Sequence, residues 1–171
     1  LAYGSADNKI VGNKIYTSYG DSTDSLLNAY VGCPNNTFFD TDVTSTNAIG
    51  PKGGMYCGIH SSGCVFKGNR IRGNFARFGL GIESAWVPST TETLSWAYGA
   101  DSGLANFANA EMNYVVFQDN VLDITRAGTA AIYIGQHDNV QLRNCRFLTN
   151  QVLSNTPAWQ LRAYSQNGIA V

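Results

Sequence analysis

A chain of 171 residues with 13% charged side chains and a formal net charge of −1 carries no run of Lys or Arg. Nucleic acid and anionic membrane surfaces therefore have no electrostatic footprint on it, and no stretch stays apolar for the roughly 18 residues of a membrane-spanning helix. Lys and Glu are too scarce to clothe solvated helices, while the length suffices for one domain that hides roughly 70% of its unfolded surface.

Five segments share a pattern when taken in chain order: 8–15 (N-K-I-V-G-N-K-I), 31–38 (V-G-C-P-N-N-T-F), 64–71 (C-V-F-K-G-N-R-I), 115–122 (V-V-F-Q-D-N-V-L) and 140–147 (V-Q-L-R-N-C-R-F). Their sixth place holds Asn13, Asn36, Asn69 and Asn120, then Cys145. The third place is Ile10, Cys33, Phe66, Phe117 or Leu142, and the eighth is Ile15, Phe38, Ile71, Leu122 or Phe147. Alternating apolar places predict a short strand with one buried face. The five-residue step to the next apolar place breaks that alternation, so the chain bends between two strands with Asn at the bend. Asn tolerates the left-handed backbone there, and its amide reaches equivalent residues one rung away, about 4.8 Å along a stack.

Second apolar strands follow at 55–60 (M-Y-C-G-I-H), 79–83 (G-L-G-I-E), 130–135 (A-A-I-Y-I-G) and 159–163 (W-Q-L-R-A). The sixth places lie 23, 33, 51 and 25 residues apart. The shortest intervals suit one coil of three strands, and the longest implies a loop insertion at about 84–113. The expected architecture is an all-β solenoid of about five to six coils with an Asn ladder, forming a single domain over 1–171. Neither end shows a cap, so the sequence reads as a piece of a longer solenoid or as one whose ends oligomerisation covers.

These repeats resemble those of right-handed parallel β-helix proteins, the pectate-lyase-like superfamily, and most closely the β-helix segments of phage tailspikes and polysaccharide depolymerases. The resemblance implies a polysaccharide or surface-glycan partner, a homotrimer, an extracellular or virion-surface location, and no cofactor. The leading expectation is a carbohydrate-engaging module. A secreted bacterial or fungal polysaccharide lyase or hydrolase and a non-enzymatic spacer or adhesin segment stand beside it.

Substrate on such a scaffold lies along an outer sheet framed by expanded loops. The 84–113 region holds Trp86, Trp96, Tyr98 and Phe107 with the acids Glu92, Asp101 and Glu111; its rings either stack on sugars or cover an apolar flank. His60 and Glu83 both follow an inward Ile and are expected side by side on one sheet, with Tyr133 or Gly135 and then Arg162 continuing the column. Glycoside hydrolysis needs two carboxyl groups roughly 5–9.5 Å apart, for which Glu83 and Asp101, Glu92 or Glu111 are candidates. Elimination needs a base (His60) and a cation (Arg72, Arg77 or Arg162). Trp86, Trp96, Tyr98, Tyr133, Trp159 and Arg162 are the candidate substrate contacts. The paired-Asp motif of polygalacturonases and the R-x-x-R and acidic calcium cluster of pectate lyases are missing, which speaks against pectin chemistry. Asp21, Asp24, Asp40, Asp42, Asp119 and Asp123 read as solvated turn residues. Cys33, Cys57, Cys64 and Cys145 form no C-x-x-C pair and no metal spacing with His. They read as small buried hydrophobes, with a Cys57–Cys64 disulfide open to an oxidising setting.

Overall fold

The computed structural model describes residues 5–18, 25–29, 33–58, 61–83, 112–136 and 142–163. Among them the chain is all strand and turn. The first coil is β1 (Lys9–Val11), β2 (Lys14–Thr17) and β3 (Ser25–Ala29), and the second is β4 (Thr37–Phe39), β5 (Asp42–Ser45) and β6 (Gly53–Cys57). The third is β7 (Val65–Lys67), β8 (Arg70–Phe75) and β9 (Phe78–Glu83). A short β10 (Met112–Asn113) leads the fourth, with β11 (Val116–Gln118), β12 (Val121–Ala127) and β13 (Ala130–Gln136). The last has a short β14 (Leu142–Arg143), then β15 (Arg146–Leu148), β16 (Gln151–Ser154) and β17 (Trp159–Ala163). Equivalent strands pair in parallel into three sheets five strands deep, β1-β4-β7-β11-β15, β2-β5-β8-β12-β16 and β3-β6-β9-β13-β17, and one two-stranded sheet, β10-β14. The fold is a parallel β-solenoid of about four turns, slightly shorter than the five to six coils expected.

The coil length is more regular than the sequence alignment suggested. Ile10, Phe38, Phe66, Phe117 and Phe147 form one inward column of the first sheet, and Ile15, Val43, Ile71, Leu122 and Val152 form one in the second. The second and fifth aligned segments were therefore slipped by five residues: Phe38 and Phe147 belong to the third place, not the eighth. In the corrected register the bend column is Asn13, Thr41, Asn69, Asn120 and Asn150. Asn36 belongs instead to the column before the first sheet, with Asn8, Cys64, Val115 and Cys145. Successive coils then advance by 28 residues from Thr41 to Asn69 and 30 from Asn120 to Asn150. The third coil takes 51, and its excess falls in the region between β9 and β10.

Both columns act as hydrogen-bonded ladders. Asn120 Oδ1 accepts from the backbone N–H of Asn69 (2.9 Å) and from its amide (3.1 Å). Asn150 Oδ1 accepts from Asn120 in the same way at 3.0 and 2.9 Å. The Asn69, Asn120 and Asn150 amides also donate to the carbonyls of Phe38, Phe66 and Phe117. In the other column Asn36 Oδ1 accepts from Asn8 at 2.8 and 3.0 Å. The left-handed residue is not the ladder Asn, as expected from sequence, but the one before it. Gly12, Asp40, Gly68, Asp119 and Thr149 have φ between 49° and 66°, and so the bend is made by the neighbour while Asn69, Asn120 and Asn150 turn their amides to inward carbonyls. Asp7, Asn35, Gly63, Tyr114 and Asn144 do the same one bend earlier.

Inside, the rings of Phe38, Phe66, Phe117 and Phe147 stack with centroids 4.5, 4.8 and 5.1 Å apart. Parallel in-register strands put like beside like, so each ring buries its faces against its neighbours; burying such a side chain is worth about 1.5–3 kcal/mol. Met55, Leu80 and Ile132 form the matching inward column of the third sheet.

Candidate functional site

Of the residues singled out from sequence, Glu83, Tyr133, Trp159 and Arg162 lie on the third sheet. Glu83, Gly135 and Arg162 share one backbone register row in successive coils, so the backbones of Glu83 and Arg162 lie two rungs, about 9.6 Å, apart. The partner of Ile82 is Cys57, which leaves Gly58 next in line with Glu83. His60 itself, with Trp86, Trp96, Tyr98 and Asp101, and the alternative acids Glu92 and Glu111, lies outside the described residues.

Two expected substrate contacts are placed elsewhere. Trp159 pairs with Ile132 in the inward column and meets Phe147 edge-on at 5.5 Å, yet it stays 46% exposed at the last coil. Tyr133 does point outward, in the row Asn28, Tyr56, Gly81, Tyr133, Gln160, yet it is fully buried. The cause is local. Gly81 leaves a gap between Tyr56 and Tyr133, and the ring of Phe78 fills it, since a Cβ on Gly81 would come within 2.6 Å of that ring. Phe78 then stacks 5.8 Å from both tyrosines, while Arg77 sits 5.2 Å from Tyr133 and Lys52 4.8 Å from Tyr56. Tyr133 is part of a second, outward apolar layer and is closed to a sugar ring.

The second sheet presents what the sequence reading passed over. One outward row is Lys14, Asp42, Arg70, Val121 and Gln151; the next is Tyr16, Thr44, Arg72, Asp123 and Leu153. Asp42 and Asp123 are strand residues with outward side chains, not turn residues. Arg72 reaches diagonally to Asp42 at 3.7 Å, with both side chains about 40% exposed, a pair worth about 0–1 kcal/mol at most. Arg72 Nε is buried without a hydrogen-bond partner. Tyr16 is 67% exposed, with its hydroxyl 3.1 Å from Thr46 Oγ1. Beside this row Asp40, Thr41, Asp42, Gly68, Asn69, Arg70 and Val121 line a depression of about 430 Å³.

Carboxylates that accept, guanidinium groups that donate in forks and an exposed ring are the groups that hold a sugar's hydroxyls and its C–H face. Cleavage is a poorer fit to this row. Asp42 and Asp123 stand two rungs and two residues apart, about 12 Å between backbones, beyond the roughly 6.5–9.5 Å between carboxyl groups of an inverting pair. Among the described residues no group of three or more His, Cys, Asp or Glu is arranged to hold a metal ion.

Comparison with family models, curated proteins and solved structures returned no match. The class the fold defines, a parallel β-solenoid protein, thus rests on the chain's own ladders and register.

Proposed function

We propose that the chain is a carbohydrate-engaging β-helix module, part of a phage tailspike or a similar surface-polysaccharide depolymerase, working at a virion or cell surface. The observation that carries this reading is the two neighbouring outward rows that set Asp42 and Arg70 beside Arg72, Asp123 and exposed Tyr16 across four adjacent coils. Rigid presentation favours binding because little side-chain and backbone freedom remains to be lost. The pectate-lyase-like resemblance of the repeats points the same way.

The test is binding to a panel of bacterial surface and acidic plant polysaccharides, with polymer size followed by gel filtration. A glycan that binds wild type and binds Tyr16→Ala or Arg70→Ala about tenfold more weakly, the equivalent of about 1.4 kcal/mol, supports the row. Shortening of a polymer that is lost in Glu83→Gln places bond cleavage on the third sheet instead. A spacer or adhesin segment is the second reading, favoured by the Asp42–Arg72 pair, which already occupies part of the row. Absence of binding to every polymer favours that spacer.

A further inference from the structure

Each strand of the first sheet is entered through a left-handed residue, and four of the five coils place there a type that tolerates it: Asp7, Asn35, Gly63 and Asn144. The fourth coil places Tyr114 there, with φ 60°. A bulky side chain in that conformation is strained, and burial does little to offset it, because Tyr114 is 65% exposed. Thr149, the unsuited residue of the other bend, is held by its hydroxyl on the Asp119 carboxylate. Among the described residues Tyr114 has no such side-chain partner. Strain that packing does not explain clusters at ligand-binding positions.

The surroundings of Tyr114 suit a ligand. Asn35, Gly63, Tyr114 and Asn144 stack in successive coils, two places before the paired residues Thr37, Val65, Val116 and Arg146. Asn144 is one rung from Tyr114, about 4.8 Å, and Asn35 is two rungs away, about 9.6 Å. Both amides are exposed. Gly63 has no side chain to separate Asn35 from Tyr114. A Cβ there would come within 2.3 Å of Asn35 Oδ1, so the Asn35 amide leans over Gly63 toward the Tyr114 rung.

We propose that Tyr114 is the stacking platform of a second sugar subsite, on the bend that enters the first sheet. The C–H face of one pyranose unit lies on the phenol ring, and the Asn35 and Asn144 amides, which both donate and accept, take its hydroxyls. This subsite rests on the carbohydrate-engaging reading above and adds to it a contact on the far side of the first sheet from the Asp42 and Arg72 rows. A residue held for its ring and not for the fold leaves a signature: its replacement by a type suited to the bend stabilises the protein while it removes binding.

Wild type, Tyr114→Asn, Tyr114→Phe and Tyr16→Ala are titrated with the same panel of bacterial surface and acidic plant polysaccharides, and their urea midpoints are measured alongside. Tyr114→Asn is expected to unfold at higher urea yet bind about tenfold more weakly, while Tyr114→Phe, which keeps the ring, binds within about threefold of wild type. Undiminished binding by Tyr114→Asn overturns the subsite, and if Tyr16→Ala is weakened in the same titrations the second-sheet reading stands without it. Weaker binding by Tyr114→Asn together with a lower urea midpoint also overturns it, since Tyr114 then serves the fold. A wild type that binds no polysaccharide overturns both the subsite and the reading on which it rests.

Discussion

Asn120 is the middle of the longest ladder, and replacing it with Ala tests whether the ladder holds the coils in register. The side chain makes four hydrogen bonds and is fully buried. In Asn120→Ala the buried N–H of Asn69 loses the acceptor it had at 2.9 Å. The Asn69 amide keeps only its bond to the Phe38 carbonyl, and the Phe66 carbonyl loses a donor at 2.9 Å. A buried N–H left unpaired costs about 1–3 kcal/mol and each weakened neighbour about 1, for a total loss of about 3–5 kcal/mol. For a chain of this size that lowers the melting temperature by about 10 °C or somewhat more. Asn13, the exposed end of the column with one bond at 3.3 Å to Val11, serves as the control and costs under about 0.5 kcal/mol. Urea unfolding followed by circular dichroism measures both. A loss below about 1 kcal/mol in Asn120→Ala, or equal losses at Asn13 and Asn120, would refute the ladder as the organising contact.

Thr41 interrupts the same column, so Thr41→Asn supplies an acceptor for the Asn13 N–H and raises stability by about 1 kcal/mol in the same assay; destabilisation would mean that the site lacks room for the amide. Tyr114 holds φ 60° while 65% exposed, and Tyr114→Asn gains about 0.5–1 kcal/mol by relieving the left-handed strain, read as a higher urea midpoint. Gly81→Ala drives a methyl into the Phe78 ring and costs about 1–3 kcal/mol, with a matching change in near-ultraviolet dichroism from Tyr56 and Tyr133. Because burial raises Cys57, the folded protein keeps a proton that the unfolded chain releases from about pH 8.5. Its contribution is present below that pH and lost above it, opposed in part by the lowered Cys64. Melting temperatures taken from pH 7 to 10 should fall, and fall less in Cys57→Ala.

The solenoid was legible because parallel stacking forces like residues into columns, and a column of Asn beside a column of Phe is hard to write by accident. Its register was not fully legible, for a reason visible in residues 8–15. That segment contains both ladders, at Asn8 and Asn13, five residues apart, each preceded by a left-handed residue and followed two places later by an inward Ile. Where both columns hold Asn or Gly, either bend matches the other. In the second coil the true partner of Asn69 is Thr41, and Asn36 offered itself instead. In the last coil the partner is Asn150, and Cys145 matches it only in the slipped register. One polar residue in the wrong bend shifts a coil by five places while leaving the alternation intact.

The same slip hid the second sheet's outward row. On a solenoid, chemistry is arranged across coils and not along the chain, so residues meet only when the coil length is right. With Phe38 set against Ile71, Asp42 falls beside Phe75 and reads as a lone acid in a turn. With Phe38 set against Phe66, as the backbone pairs it, Asp42 stands beside Arg70 and Thr44 beside Arg72, and Asp123 follows one rung on. Glu83 and Arg162 share the row expected of them, and of the two residues offered between them, Tyr133 or Gly135, the register takes Gly135; their strands are tied to Ile82 and Ile134, which are inward residues. Errors in a solenoid's site are therefore errors of coil length, and the regular advance of 28 to 30 residues is the number that turns scattered charges into a surface.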